Sequence, residues 1–337
     1  MEDFRTYAKE HGIAVSDVVA RFGGQNEFIE LVETLRARSD DLLVRAEWKD
    51  GKGTIHLRPG SEGISTSVVA DANVNVVTVD QLGEKSQAKL AEQVSLAMER
   101  AGQDVFTVGF VAETGHLQVT AYEPVAPGLE TIVKEAISGA AKSEASLVEL
   151  ELRAGESSMA PVPDARGGMN YSSCTGGFIA KSGSSRYVVT ARHCETKPST
   201  YDGATTGPTT YTTNRDLRRT YLSGNHGATF RWDWGAYRTV QSVGNPVFGT
   251  LACKFGTTTG STCATVIATD QCASYDGYPT FCGMARVSGY FSEPGDSGGP
   301  WFSGTKALAI HSGRWGSGSV GTKISDISGL GVSLVTG

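Results

Sequence analysis

Gly295-Asp296-Ser297-Gly298-Gly299-Pro300 is the stretch whose reading decides the fold. A serine set between an aspartate and glycines is what an exposed nucleophilic hydroxyl needs. The glycines allow a tight backbone turn and let a substrate carbonyl come close to the main chain. The Gly295 and Ser297 amides can then point at the place where an oxyanion forms. About a hundred residues earlier stands Thr190-Ala191-Arg192-His193-Cys194, after the apolar run Tyr187-Val188-Val189. Asp233 lies between them, in Arg231-Trp232-Asp233-Trp234-Gly235. A serine hydroxyl needs a base in hydrogen-bond reach, and the base needs an orienting acceptor. The sequence predicts Ser297 as nucleophile, His193 as general base and then acid, and Asp233 as acceptor. Asp216, in Asn214-Arg215-Asp216-Leu217, is the rival acceptor. Its arginine neighbours suit an exposed ion pair, whereas Asp233 between tryptophans suits a buried site at a strand start.

The order His, Asp, Ser is that of chymotrypsin, and the serine does not stand in a G-x-S-x-G elbow. These motifs resemble the bacterial branch of the chymotrypsin-like serine proteases, the streptogrisin and α-lytic protease group. T-A-x-H-C and G-D-S-G-G-P both match. Cys174-Thr175-Gly176-Gly177-Phe178 resembles the group's early C-x-x-G-F strand. Cys253-Lys254-Phe255-Gly256-Thr257-Thr258-Thr259-Gly260, followed by Cys263, resembles the segment before the nucleophile. The resemblance covers residues 162 to 337. It implies an all-β double β-barrel, an acyl-enzyme route to peptide hydrolysis, and Asp233 at the family's aspartate motif.

The same resemblance implies further residues. Lys254 is expected to pair with Asp296, so that the oxyanion hole forms without a newly freed N-terminal amine. Cys174–Cys194 and Cys253–Cys263 match family bridges. Cys272 and Cys282 remain and are expected to pair, because the family's third bridge has no cysteine near Phe291. A zinc site is the rival, but the spacings lack paired C-x-x-C motifs. Ser292, His311, Ser312, Gly313 and Arg314 are expected to bind substrate. Ser312 to Arg314 would offer main-chain hydrogen bonds to an extended peptide. His311 and Ser292 stand where glutamate-specific members carry them, which implies cleavage after glutamate; a packed core histidine is the alternative.

Length, cysteines and charge divide the chain. Its 337 residues are enough for two domains. All six cysteines lie between 174 and 282, as in a disulfide-stabilised domain made for an oxidising compartment. Residues 1–159 carry 15 basic and 26 acidic residues, net −11; residues 160–337 carry 15 and 10, net +5. The joint is read in Ser157-Ser158-Met159-Ala160-Pro161-Val162-Pro163-Asp164-Ala165-Arg166-Gly167-Gly168, whose prolines and glycines make an extended, nickable linker.

The division is therefore an α+β pro-region or regulatory domain at 1–156, a linker and processing site at 157–168, and the protease domain at 169–337. The first half reads as a helix over Asn26–Arg38, a hairpin around Asp50-Gly51-Lys52-Gly53, and a strand at Val74–Val79. A helix at Ser86–Ala101, a hairpin around Glu113-Thr114-Gly115, a helix at Leu129–Ile137 and a strand at Leu147–Leu152 follow. It carries no chemistry of its own and loosely resembles the pro-regions of bacterial members.

No apolar stretch is long enough to span a bilayer, and no secretory signal is visible at Met1-Glu2-Asp3-Phe4. The sequence predicts a secreted, monomeric serine endopeptidase made as a zymogen. Its partners are peptide substrates and its own pro-region. No cofactor, metal, nucleic acid or membrane is expected. A permanent N-terminal regulatory domain on an intracellular protease is one alternative; an inactive peptide-binding fold is the other.

Overall fold

The computed structural model describes residues 1–38, 41–61, 74–103, 106–111, 114–122, 125–140, 150–155, 170–274, 277–289 and 291–337. The linker at 157–168 lies outside them. Three helices open the chain: α1 (Glu2–His11), α2 (Val15–Phe22) and α3 (Gln25–Arg38). A sheet follows, of β1 (Leu43–Lys49), β2 (Lys52–Leu57) and β3 (Val74–Thr78). The β1–β2 turn is the expected Asp50-Gly51 hairpin, closing at Lys49 and Lys52, with both turn residues at positive φ. Next come α4 (Glu84–Arg100), β4 (Phe106–Phe110), β5 (Leu117–Tyr122), α5 (Leu129–Ala140) and β6 (Leu150–Gly155).

The second half is almost wholly strand. One sheet holds six strands in the order Thr200–Tyr201, Ala204–Tyr211, Arg218–Leu222, Ser185–Thr190, Ile179–Ser182 and Ser333–Leu334. These are β11, β12, β13, β10, β9 and β23 in chain order, after the short β7 (Asn170–Tyr171) and β8 (Cys174–Thr175). A hairpin, β14 (Thr229–Asp233) with β15 (Ala236–Thr239), and the short β16 (Ser242–Val243) lead onward. Then β17 (Leu251–Gly256), β20 (Pro300–Ser303), β21 (Lys306–Trp315), β22 (Gly318–Lys323), β19 (Phe281–Ser288) and β18 (Gly260–Ala273) pair in that order. The β17–β18 pairing closes them into a ring. This is a chymotrypsin-like, mostly β protease fold.

The N-terminal half does not stand apart from that fold. β4 pairs with β18 at Val108↔Cys272 and Thr107↔Ala273, so β4, β5 and β6 continue the sheet of the second barrel. Phe22, Ile29 and Val32 from the helices share one core cluster with Leu251, Phe255, Phe302 and Ala307 from the barrel. Trp48 N–H donates to Phe248 C=O at 2.8 Å, and Arg238 bonds Asp3 at 2.6 Å. α1 and α2 are not foreseen in the sequence. Both are short, and their apolar faces are completed by neighbours distant in sequence or by each other: α1 packs on α2 and β18, and α2 packs on α1 and β1.

Three disulfides join Cys174 to Cys194, Cys253 to Cys263 and Cys272 to Cys282. The first ties β8 to the turn after β10. The second pairs directly opposed residues of β17 and β18. The third clamps the loop end of the β18–β19 hairpin, beside the Ala273↔Phe281 pair.

Candidate active site

His193 follows β10, where Val188 and Val189 are buried and Thr190 Oγ1 donates to Thr175 C=O at 2.9 Å. β13 pairs with β10 at Thr190↔Arg218. The turn entering β13 therefore lies beside the turn leaving β10, and it carries Asp216. His193 Nδ1 donates to Asp216 Oδ2 at 2.8 Å, and the His193 backbone N–H donates to Oδ1 at 3.1 Å. Asp216 is 0% exposed. Burial alone would raise its carboxyl, but the His193 ring, the His193 N–H and the Ser312 hydroxyl hold it below the usual range. Burial likewise works against the imidazolium of His193. Asp216 outweighs it, so the imidazole is pushed above its ordinary 6.5.

This corrects the expectation of Asp233 as acceptor. Asp233 ends β14, and its carboxylate accepts the N–H of the next residue, Trp234, at 2.8 Å. Trp234 is 55% exposed at a turn made by Gly235, so the flanking tryptophans do not make a buried site. The arginines beside Asp216 turn away from it. Arg215 pairs with Asp326 at 2.7 Å, and Arg218 donates to Glu195 C=O at 2.8 Å. The usable signal was Asp216 standing directly before a strand whose alternate residues, Arg218, Thr220 and Leu222, are buried beside the histidine strand.

Ser297 lies in the turn between Phe291 and β20. Its Oγ donates to Ser312 C=O at 3.3 Å, and its own C=O accepts from Thr175 N–H at 2.8 Å. Ser312 thus touches both Ser297 and Asp216. Gly298 has φ +85°, and a Cβ there would lie 1.9 Å from Thr190 Oγ1 and 2.3 Å from Thr175 C=O. Only glycine lets the turn press against the histidine strand.

Two carbonyls orient the neighbouring amides. Pro294 C=O accepts from Thr258 Oγ1 at 2.5 Å, and Asp296 C=O accepts from Gly299 N–H at 3.0 Å. In a trans peptide the N–H points opposite the C=O, so the Gly295 and Ser297 N–H groups face away from these anchors. Among the described residues neither N–H has a protein acceptor.

Asp296 points inward. Its Oδ2 accepts from Lys254 Nζ at 3.0 Å, Thr259 Oγ1 at 2.7 Å and Glu293 N–H at 2.9 Å; its Oδ1 accepts from Thr258 N–H at 2.9 Å. Both charged groups are fully buried. Burial would raise the Asp296 carboxyl, but Lys254 and these donors hold it below the carboxylate range. The turn is therefore braced from inside by a satisfied ion pair.

The expected pocket residues cluster around β21. His311 is buried, stacked on Trp301 at 6.1 Å, and its Nδ1 accepts from Trp301 Nε1 at 3.1 Å. Burial and then Lys254 push its pKa down to about 3. His311 is therefore a neutral imidazole with its proton on Nε2. Ser292 Oγ lies 3.1 Å from Ser319 Oγ, while Ser292 C=O accepts from Arg314 Nε at 2.7 Å and Nη2 at 2.5 Å. Arg314 also pairs with Glu293, which fixes it at the rim. Gly313 lies between Ser312 and Arg314 on β21 and pairs with Val320.

A closed β-barrel beside a second sheet, with a buried Asp-His pair next to a serine in a glycine turn, defines a chymotrypsin-fold serine protease. No family model matches the chain. Glutamyl endopeptidase 2 of Streptomyces griseus is 34% identical over 162 residues, covering 45% of this chain and 85% of that protein. Serine protease 2 of Streptomyces fradiae is 30% identical over 161 residues, covering 44% and 90%. Streptogrisin-A of Streptomyces griseus is 28% identical over 251 residues, covering 73% and 77%. Among solved structures, a glutamic acid-specific serine protease is 28% identical with a TM-score of 0.42, over 48% of this chain and 92% of that one. Nocardiopsis protease is 26% identical with a TM-score of 0.43, over 50% and 98%. The chain belongs to the streptogrisin and glutamyl endopeptidase family of bacterial serine proteases, and it is a serine endopeptidase. Among the described residues no helix is long and apolar enough to cross a membrane.

Proposed function

We propose that the protein cleaves peptide bonds through Ser297, His193 and Asp216, after an acidic side chain, and that it is exported as a zymogen whose N-terminal half is the pro-region. The observation that carries the mechanism is the buried Asp216 carboxylate on both N–H groups of His193, with Ser312 joining Asp216 to Ser297. His193 takes the Ser297 proton as the hydroxyl attacks the carbonyl. Asp216 holds the Nδ1–H tautomer and stabilises the imidazolium. The Gly295 and Ser297 N–H groups receive the oxyanion. His193 then returns the proton to the leaving amine, and water repeats the cycle on the acyl-enzyme. Ser312 to Arg314 pair with the substrate main chain.

The acidic preference is supported by the donors around the pocket. A carboxylate entering a closed pocket loses water and needs hydrogen bonds in return. His311 keeps an Nε2–H because Trp301 fills the demand at Nδ1, and Ser292 and Ser319 add hydroxyls. Glutamyl endopeptidase 2, a relative, is named for that residue. Export is supported by six cysteines all held in disulfides. A pro-region is supported by the shared core and the β4–β18 pairing.

The test is a peptide library varied only at the residue before the scissile bond, with Ser297→Ala as control. Glutamate is expected to be cut fastest, with activity lost in Ser297→Ala by several powers of ten. Faster cleavage after Phe, Leu, Lys or Arg would overturn the acidic preference and leave the mechanism standing. Undiminished activity in Ser297→Ala would overturn the mechanism. Mass spectrometry of the purified chain is expected to find self-cleavage within 157–168.

A further inference from the structure

Away from the catalytic residues, a cavity of about 220 Å³ opens where the first sheet meets the β14–β15 hairpin and the second barrel. Ile179 and Leu222 of the first sheet, Phe230 of β14, Phe255 of β17 and Pro300 of β20 make its lining apolar. None of His193, Asp216, Ser297 or Ser312 to Arg314 reaches it. Two polar groups break that lining. Tyr201 is only 4% exposed, and its hydroxyl has no hydrogen-bond partner among the described residues. The hydroxyl lies over Gly176, where a Cβ would come within 2.0 Å of it. Burial, and then the charge of Asp202, push its pKa up, so the group remains an O–H donor. The Arg231 guanidinium is near enough to oppose that shift. Arg231 Nη2 donates to Tyr237 Oη at 2.9 Å, and the guanidinium lies over the Tyr237 and Phe255 rings at 5.4 and 5.7 Å. Its Nε is buried without an acceptor, and among the described residues no carboxylate pairs with it. Asp202 lines the same cavity but is exposed to water. Two donors thus face an apolar chamber with nothing to accept from them, a cost that an acceptor would remove.

We propose that this cavity is a binding site for a small aromatic carboxylate, with its ring among Leu222, Phe230 and Phe255 and its carboxylate on the Tyr201 hydroxyl and the Arg231 guanidinium. Size and chemistry both point there. An apolar cavity of about 150 Å³ holds benzene, so this one has room for a benzene ring and a carboxylate beside it. A carboxylate accepts from both donors at once, and such charge-assisted hydrogen bonds are roughly twice as strong as neutral ones. A neutral hydrocarbon would leave both donors unsatisfied. A compact inorganic anion would give up its water to apolar walls on every other side. The site is independent of the reading of Ser297, His193 and Asp216, because binding is measured directly.

The test titrates the full-length protein with benzoate and reads binding from the broadening of the benzoate proton resonances. Wild type is expected to bind benzoate, and to bind benzyl alcohol, similar in shape but uncharged, about tenfold more weakly or less still. That is the scale of a hydrogen bond to a charged group. Arg231→Met is expected to weaken benzoate by about tenfold or more and to leave benzyl alcohol unchanged. Tyr201→Phe removes one oxygen, keeps the ring in its packing, and is expected to weaken benzoate severalfold. It decides the question if Arg231→Met does not fold, which near-UV circular dichroism reports. Absence of benzoate binding by wild type overturns the proposal. So does benzoate affinity that is unchanged in Arg231→Met and Tyr201→Phe but lost in His311→Leu, which would put the carboxylate in the pocket at His311. Equal weakening of benzoate and benzyl alcohol in Arg231→Met overturns it as well, because the guanidinium would then act by packing alone.

Discussion

At the scale of single residues, the instructive pair is Asp216 and Asp233. Local composition favoured Asp233, because tryptophans look like burial and arginines look like solvent. Burial is decided by pairing across strands, and β13 lies beside the histidine strand while the tip of β14 does not. Asp216→Asn should lower kcat by about 10⁴-fold, through loss of the Nδ1–H tautomer, while Asp233→Asn should stay near wild type. Steady-state kinetics on purified variants checks both. The pH profile follows from the same pair. His193 has a raised pKa, so its ion pair stabilises the fold fully below 6.5 and loses that contribution as pH rises through the folded value. Catalysis needs the neutral imidazole, so kcat/KM should rise over that same range, with a midpoint above 6.5. Asp216→Asn should move the midpoint down; an unmoved midpoint would assign the titration to another group. Lys254 offers a stability test. Lys254→Met leaves the buried Asp296 carboxylate unpaired, which should cost about 3–5 kcal/mol in urea unfolding.

At the scale of elements, strands and hairpins with local signals were legible. The helix at Asn26–Arg38 appears at Gln25–Arg38, the helix at Ser86–Ala101 at Glu84–Arg100, and the Asp50-Gly51 turn where it was expected. Ser297 and His193 were legible because a serine nucleophile imposes narrow local requirements, whereas the Lys254–Asp296 pair was legible only through the family resemblance. What could not be read was contact across distance. β4 joining β18 links residues more than 160 apart in the chain, and no local pattern encodes it. The edge-on contact of the Tyr278 ring with the His193 ring, 6.3 Å between centroids, is hidden for the same reason. The Cys272–Cys282 staple makes that hairpin testable. Replacing both cysteines by serine frees a short loop and should cost on the order of 3 kcal/mol by chain-entropy reasoning. A melting comparison with wild type measures it, and no change would mean that the β4 pairing and the Thr280 N–H bond to Glu99 of α4 already hold the hairpin.

At the scale of the whole molecule, the question is what holds the acidic half on the basic half. The charge contrast of −11 against +5 suggests attraction, and ionic contacts exist: Arg238 to Asp3 and Glu2, and Lys306 to Glu30. Pairs with an exposed partner, as Glu2 and Glu30 are, contribute about 0–1 kcal/mol each and weaken with salt. The apolar contacts are larger. Phe22, Ile29 and Val32 are fully buried in a core shared with the barrel, and a buried side chain of this kind contributes roughly 1.5–3 kcal/mol. Burial therefore outweighs charge, and the charge pattern governs how fast the halves meet more than how tightly they hold. Two consequences separate these terms. After the chain is nicked in the linker by an added protease, the halves should co-elute on size exclusion even in 1 M salt, where the Debye length falls to about 3 Å. Ile29→Asp replaces fully buried apolar surface by a carboxylate against Gly244, where the isoleucine methyl now packs, and should release the N-terminal half after nicking. Glu30→Gln should leave it bound. Release of the unmodified halves by salt alone would show that the ionic contacts, not the shared core, carry the association.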